Sequence, residues 1–285
     1  MLRSLVALAL GATVLTGCTV PRPAGDGPLR YRDQVFSAVT TTNDLTYGSA
    51  PDANGDPVTL KLDLYQPTGD TIANRPALVW VHGGGFTMGD KSSGRAMATL
   101  FAKLGYVAVS INYRLLSPTG CGGNPDPTPT CQNAALGAQH DAQAAVRWLR
   151  ANAATYRIDT NRIAMGGASA GAVTSVLAAT HSEDPGTSGN PGYPSSVRAA
   201  VSVSGGMPTN DLITADDSPT LFIHGTEDHV VPYDWAVQNS AAMYRLGIFT
   251  VLEPIEGAAH GLAADYGPLI DEQSDYFLYF AMDLG

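Results

Sequence analysis

Gly167-Ala168-Ser169-Ala170-Gly171 stands between the apolar run Arg162-Ile163-Ala164-Met165 and the Ala/Val-rich stretch 172–180, so the chain passes from a strand into a helix with a serine at the apex. In that context G-x-S-x-G reads as a nucleophile elbow. Such a turn holds its serine in a strained backbone conformation, and side chains on the flanking glycines would collide with the adjoining strand and helix. The serine is left facing solvent, within reach of a substrate.

The rest of the chain repeats the same alternation. Apolar runs predict strands at 59–65, 77–81, 107–111, 162–165, 199–203, 220–223 and 249–254, with helices at 92–104, 132–152, 170–180, 233–246 and 271–282. Segment 59–65 alternates at period two and suits a half-exposed edge strand, whereas 77–81 and 107–111 are nearly all apolar, as central parallel strands covered on both faces must be. Segment 31–47 also alternates, as in Phe36-Ser37-Ala38-Val39, and extends the sheet. The expectation is an α/β protein: a mostly parallel sheet of about eight strands with helices on both faces. A chain of 285 residues that is 44% hydrophobic can bury one large core, and no linker divides it, so a single domain is placed at 31–285.

The first residues belong to export. Met1-Leu2-Arg3 supplies a positive start, 4–15 is apolar, and Leu15-Thr16-Gly17-Cys18 ends the stretch with small residues before a cysteine. The apolar stretch falls short of the ~20 residues a bilayer-spanning helix needs. Residues 1–17 are therefore expected to be a signal peptide resembling that of bacterial lipoproteins, with Cys18 as the lipid-bearing first residue of an exported, envelope-anchored chain. An ordinary secretory signal is the alternative. The Pro/Gly-rich 18–30 reads as a flexible tether. Of three cysteines, Cys121 and Cys131 bracket a Pro/Gly-rich loop and are expected to pair, which an exported protein permits.

A serine hydroxyl is a poor nucleophile and needs a base, an orienting acid and a site for the developing oxyanion. In the strand-plus-loop segment Leu221 to Pro232, Asp228 lies where the loop should turn inward, with Glu227 as its rival. Gly257-Ala258-Ala259-His260-Gly261 places the base, His260, after the last strand. The catalytic set is thus Ser169, Asp228 and His260. Val81-His82-Gly83-Gly84-Gly85-Phe86 ends a buried strand, and its glycines leave backbone N–H groups free to converge. The expected oxyanion donors are the N–H groups of Gly84, Gly85 and Ala170, with His82 bracing the loop. His140 and His181 are read as surface or packing residues, His229 as a rim residue beside the acid, and His224 as hydrogen-bonded within its turn; none has a second ligand at metal spacing, so no metal site and no cofactor are expected. A net charge of −10 without a Lys/Arg cluster argues against nucleic acid as a partner.

His82-Gly83-Gly84-Gly85-Phe86, Asn112-Tyr113-Arg114-Leu115, the helix ending Arg147-Trp148-Leu149-Arg150-Ala151-Asn152, the elbow, Asp228 and His260 together resemble the α/β-hydrolase carboxylesterases related to hormone-sensitive lipases. The resemblance covers roughly residue 60 onward and departs at Ala168, where many of those relatives carry an acidic residue. It implies an α/β-hydrolase fold and a serine carboxylic ester hydrolase. Segments 182–196 and 204–219 are too short or too irregular for a large cap domain, so the site is expected to be open and suited to short-chain acyl esters, small or polymer-borne. The alternatives are a serine peptidase or amidase that keeps the same triad, and a noncatalytic envelope-binding lipoprotein on the same scaffold.

Overall fold

The computed structural model describes residues 19–122 and 127–285. Eight strands form one sheet: β1 (Val39–Pro51), β2 (Pro57–Pro67), β3 (Arg75–Val81), β4 (Val107–Ile111), β5 (Ile158–Ala168), β6 (Ala199–Val203), β7 (Thr220–Gly225) and β8 (Thr250–Ile255). Their spatial order is β1-β2-β4-β3-β5-β6-β7-β8. The pairs from β4 to β8 are parallel, while β1 pairs with β2, and β2 with β4, antiparallel. The helices are α1 (Arg95–Leu104), α2 (Pro129–Ala151), the single turn α3 (Ala153–Tyr156), α4 (Ala170–Thr180), α5 (Tyr233–Arg245) and α6 (Ala263–Ala281).

Period-two alternation within fully buried strands assigns each face a layer. On β3, Ala77, Val79 and Val81 pack with Ala138, Ala142 and Leu149 of α2 and Val173 of α4. Leu78 and Trp80 point the other way, into a cluster with Phe101 of α1 and Phe277 and Leu278 of α6. A third cluster joins Phe222 of β7 to Ala236 and Met243 of α5. The sheet is therefore covered on both sides, as parallel strands require, and the α/β-hydrolase architecture expected from the sequence is the one observed. Segments 181–198 and 204–219 carry neither helix nor strand.

Several expectations need correction. Segment 59–65 lies in β2, which is not an edge: β1 covers it, and Leu60, Leu62 and Leu64 are buried. The N-terminal strand begins only at Val39. Before it, Tyr31 has a φ of 70°, and the Tyr31 and Phe36 N–H groups donate to the carbonyls of Leu104 and Lys103, satisfying orphan acceptors at the end of α1. In the described part of the segment read as a tether, 19–30, Val20 and Pro23 are buried and most other residues are exposed. The Val20 N–H donates to Gln273 Oε1, and the Arg32 guanidinium gathers the carbonyls of Pro23, Gly25 and Gly27. One buried cation with several donors organises a stretch that has no hydrophobic period of its own. The helix expected at 271–282 starts two turns earlier, and Pro268 lies within it. The signal peptide and Cys18 lie outside the described residues. Among the described residues, no helix is long and apolar enough to cross a membrane.

Asp275 on α6 is 6% exposed, beneath the docked N-terminal segment. Burial, reinforced by Asp33 and opposed by Arg32 and Arg22, pushes its carboxyl up to about 8. Because the folded-state value is raised, the folded chain holds a proton between about pH 4 and pH 8 that the unfolded chain has released, so stability falls as pH climbs through that window. Asp275→Asn is expected to match wild type near pH 4 and to exceed it at pH 8 by up to about 5 kcal/mol. Thermal melts across this range check it, and parallel Tm curves would refute it.

Candidate active site

Ser169 occupies the single residue between β5 and α4, at φ 54° and ψ −121°. This is a left-handed backbone for a residue with a side chain, a conformation that costs on the order of 1–3 kcal/mol and is held by its surroundings. The Ser169 N–H donates to the Val203 carbonyl, and its own carbonyl accepts from the N–H groups of Ala172 and Val173. A Cβ on Gly171 would stand 2.1 Å from the Val81 carbonyl oxygen, and one on Gly167 would stand 2.4 Å from that of Gly171. Both clashes are with backbone, so only glycine fits at either position.

The two partners arrive on separate loops. Asp228 follows β7, buried, with Oδ1 accepting from the N–H groups of Val230 and Val231. His260 sits between β8 and α6. Its Nδ1 lies 2.7 Å from Asp228 Oδ2 and its Nε2 lies 2.8 Å from Ser169 Oγ. Ser169, His260 and Asp228 thus form one hydrogen-bonded chain. Glu227, the rival acid, points into solvent.

Two neighbours of this chain add to what the sequence suggested: Ser204 was not foreseen, and His224, expected to hydrogen-bond within its turn, also reaches the acid. Ser204, at the end of β6, donates from its hydroxyl to the His260 carbonyl. His224, fully buried, brings Nε2 to 3.0 Å from both Asp228 Oδ2 and the Val231 carbonyl. The i, i+4 spacing of His224 and Asp228 was its only sequence signal. Burial by itself would raise the Asp228 pKa, but hydrogen bonds from His224, His260 and the two backbone N–H groups outweigh it and hold the carboxyl well below the usual range. The arrangement therefore favours the carboxylate form of Asp228.

The glycine loop after β3 runs past the elbow, and a Cβ on Gly83 would stand 3.3 Å from that of Ser169. Gly84, Gly85 and Phe86 have φ of 120°, 60° and 62°. The carbonyls of all three are engaged: Gly84 by Thr87 and Met88, Gly85 by the Cys121 N–H, Phe86 by the Ser117 N–H. Among the described residues the N–H groups of Gly84 and Gly85 meet no acceptor, and Ala170, opening α4, has no carbonyl one turn behind it. His82 stacks on Tyr113 with ring centroids 4.3 Å apart, and the Tyr113 hydroxyl donates to the His82 carbonyl, so the loop is braced as expected. Burial lowers the His82 pKa, which keeps that ring neutral.

Cys121 and Cys131 are disulfide-bonded, and the bridge does more than close its loop: both cysteines line a cavity of about 490 Å³ beside the elbow. Leu136, Val173, Leu177, Leu212 and Trp235 supply apolar wall, and Phe86 and Ala170 border it at the elbow end. Without a large cap, the site is still walled rather than merely open. His140 pairs with Asp184, and His181 lies 3.7 Å from Glu183. Among the described residues no group of three or more His, Cys, Asp or Glu is placed to hold a metal ion.

The sheet order and the strand–serine–helix elbow, with acid and histidine on the loops after the last two strands, define an α/β-hydrolase. A family model described as BD-FAE matches residues 62–208, just over half of the chain, and the chain belongs to that family. It is 37% identical over 138 residues to a phenmedipham hydrolase of Pseudarthrobacter oxydans, covering 48% of this chain and 25% of that protein. It is 31% identical over 176 residues to a probable carboxylic ester hydrolase, LipM, of Mycobacterium tuberculosis, covering 58% and 35%. The chain therefore spans only about a quarter to a third of the length of these relatives. Among solved structures, the native form of a thermophilic esterase from Thermogutta terrifontis superposes with a TM-score of 0.68 at 25% identity, covering 85% of this chain and 92% of that one.

Proposed function

We propose that the protein is a serine carboxylic ester hydrolase, exported and held at the cell envelope by a lipid on Cys18. The observation that carries the first part is the unbroken hydrogen-bonded chain Ser169–His260–Asp228 at the apex of the elbow. Ser169 Oγ attacks the ester carbonyl while His260 Nε2 takes its proton. The oxyanion of the tetrahedral intermediate is received by the N–H groups of Gly84, Gly85 and Ala170, and His260 returns the proton to the departing alcohol. Water, deprotonated by the same imidazole, then releases the acid from the acyl-enzyme. Asp228 keeps the hydrogen of His260 on Nδ1, so that Nε2 presents a lone pair to the serine. The relatives named as ester hydrolases support the reaction class. The disulfide fits an oxidising compartment and so supports export.

A fluorophosphonate probe is expected to label the protein once, at the peptide carrying Ser169, and the protein is expected to hydrolyse p-nitrophenyl butyrate far faster than the matching anilide. Mass spectrometry of the labelled digest and the paired rates read this out. Absence of labelling, or an anilide cleaved as fast as the ester, would reject the assignment.

A further inference from the structure

A groove far from Ser169 plays no part in the catalytic reading. Tyr244, Leu246, Phe249 and Phe280 gather around it, each 43–46% exposed. Tyr244, Phe249 and Phe280 line it, Leu246 adjoins its Gly247, and residues 19–21 form part of its wall. Apolar residues scattered singly are ordinary on a protein surface, but a contiguous group marks a contact. Among the described residues no charged side chain lines the groove, although the chain carries a net charge of −10. The Thr250 hydroxyl already donates to the Thr220 carbonyl, so the Thr19 and Tyr244 hydroxyls are all that remain there to orient a soluble ligand.

Three elements fix the distance from the triad. Helix α6 begins three residues after His260 and reaches Phe280 about 25 Å along its axis. Helix α5 begins at Tyr233, whose ring lies 5.8 Å from that of His224, and reaches Tyr244 about 17 Å further on. Strand β8 enters from Phe249 and leaves toward His260 after about 17 Å. The groove therefore lies at the amino ends of the strands, on the side of the molecule opposite the elbow.

The chain's entry into the groove indicates what covers it. Thr19 follows Cys18 directly, and Val20 is pinned, because it is buried and its N–H donates to Gln273 Oε1. A lipid on Cys18, the reading on which this inference rests, is thus held within the reach of two residues, about 7 Å, of a fixed point on the groove wall. A bilayer that takes up the lipid meets the groove first. Tyr, Phe and Leu are side chains that membrane-surface contacts use, and Arg245, exposed beside Tyr244 at the end of α5, offers a cation to lipid phosphates. A single acyl chain anchors a protein only marginally, and a second contact makes the attachment stable. We propose that this face docks on the bilayer surface, with Tyr244, Leu246, Phe249 and Phe280 in the headgroup boundary, so that the elbow opens away from the membrane. An ester lying within that bilayer is then out of reach, and the substrate is an ester carried in water or on a polymer.

Fluorescence quenching tests the docking, on the full chain expressed with its signal and added to preformed vesicles of phosphatidylcholine with some phosphatidylglycerol. With Cys18 lipidated and Cys121 bonded to Cys131, an introduced cysteine is the single free thiol. A bimane dye is placed on Tyr244→Cys, or on Glu227→Cys at the catalytic edge, and the vesicles carry lipids brominated along their acyl chains. Quenching at 244 is expected to exceed that at 227 by at least about threefold, since a docked apolar face enters the headgroup boundary. Equal quenching at the two positions, or more at 227, overturns the orientation. Absence of quenching at 244 overturns the docking, and a cross-link between the 244 positions of two copies would give the face to a dimer instead. Phe249→Glu combined with Phe280→Glu is expected to bring the 244 to 227 ratio to about one, while kcat for p-nitrophenyl butyrate stays within about twofold, because both residues lie beyond a Debye length from Ser169. A ratio unchanged by that pair overturns the role of the two rings. The mass of the N-terminal peptide is read separately: a peptide without lipid overturns the anchor and this docking with it, whereas the ester-hydrolase reading fails only where no ester turns over.

Discussion

Ser169→Ala is expected to lower kcat for p-nitrophenyl butyrate by about 10⁵ to 10⁶, with a melting temperature within a few degrees of the wild-type protein. The size follows from how the hydroxyl is used. Removing the nucleophile removes the acyl-enzyme route altogether, and what remains is the residual acceleration, roughly 10³ to 10⁴ over water, that an oxyanion site and substrate binding supply. The fold should survive, because the strain at φ 54° is carried by backbone bonds from Val203, Ala172 and Val173 that alanine also makes. His260→Ala is expected to be about as damaging, and the double variant no worse than either single one, since a base without its nucleophile has nothing to activate. Steady-state kinetics on the three variants, with circular-dichroism melts, check both statements. Turnover persisting in Ser169→Ala would remove the basis of the proposed mechanism, and additive losses in the double variant would show that serine and histidine act separately.

What could be read in the chain before its structure was the part that local geometry writes into local sequence. Gly167 and Gly171 have to be glycines because backbone oxygens stand where their Cβ atoms would go. In the run Gly83-Gly84-Gly85, Gly84 and Gly85 take positive φ, and Gly83 passes so close to the elbow that a Cβ would stand 3.0 Å from the Ala168 carbonyl oxygen. Asp228 and His260 were legible because parallel strands deliver their loops to one edge of the sheet. The cavity was not legible. Cys121, Gln139, Leu177, Leu212 and Trp235 come from separate loops and helices, and their shared space depends on how α2 lies along α4. The contacts that hold the N-terminal segment were also hidden. Its organiser is Arg32 binding backbone carbonyls, an interaction that needs donors and acceptors at the right distance and leaves no periodic trace. In α6 the dipeptide Gly267-Pro268 conceals the first two turns, since it resembles a helix break while the packing continues through it.

Asp228→Asn is expected to lower kcat by about 10⁴ while leaving KM within a few-fold of its wild-type value. All four groups around the carboxylate donate: Val230 and Val231 N–H to Oδ1, and the rings of His260 and His224 toward Oδ2. Such a cradle suits a group that only accepts, and asparagine brings an NH₂ that must face some of those donors. If the amide oxygen keeps the two backbone N–H groups, its NH₂ points at His260 Nδ1. That nitrogen must then carry its lone pair, and the ring's hydrogen moves to Nε2, facing Ser169 Oγ at 2.8 Å. A base whose lone pair is turned away cannot take the serine proton, although every heavy atom remains in place. Substrate binding, which depends on the cavity walls and the glycine loop, is expected to be nearly untouched, so the loss falls in kcat. Glu227→Gln, one residue away but in solvent, is expected to change kcat by less than about twofold, because an exposed charge at that distance is screened by water. A large loss in Glu227→Gln with little in Asp228→Asn would transfer the acid role to Glu227. A loss in Asp228→Asn that appears only in KM would mean that this carboxylate serves binding and not the tautomer of His260.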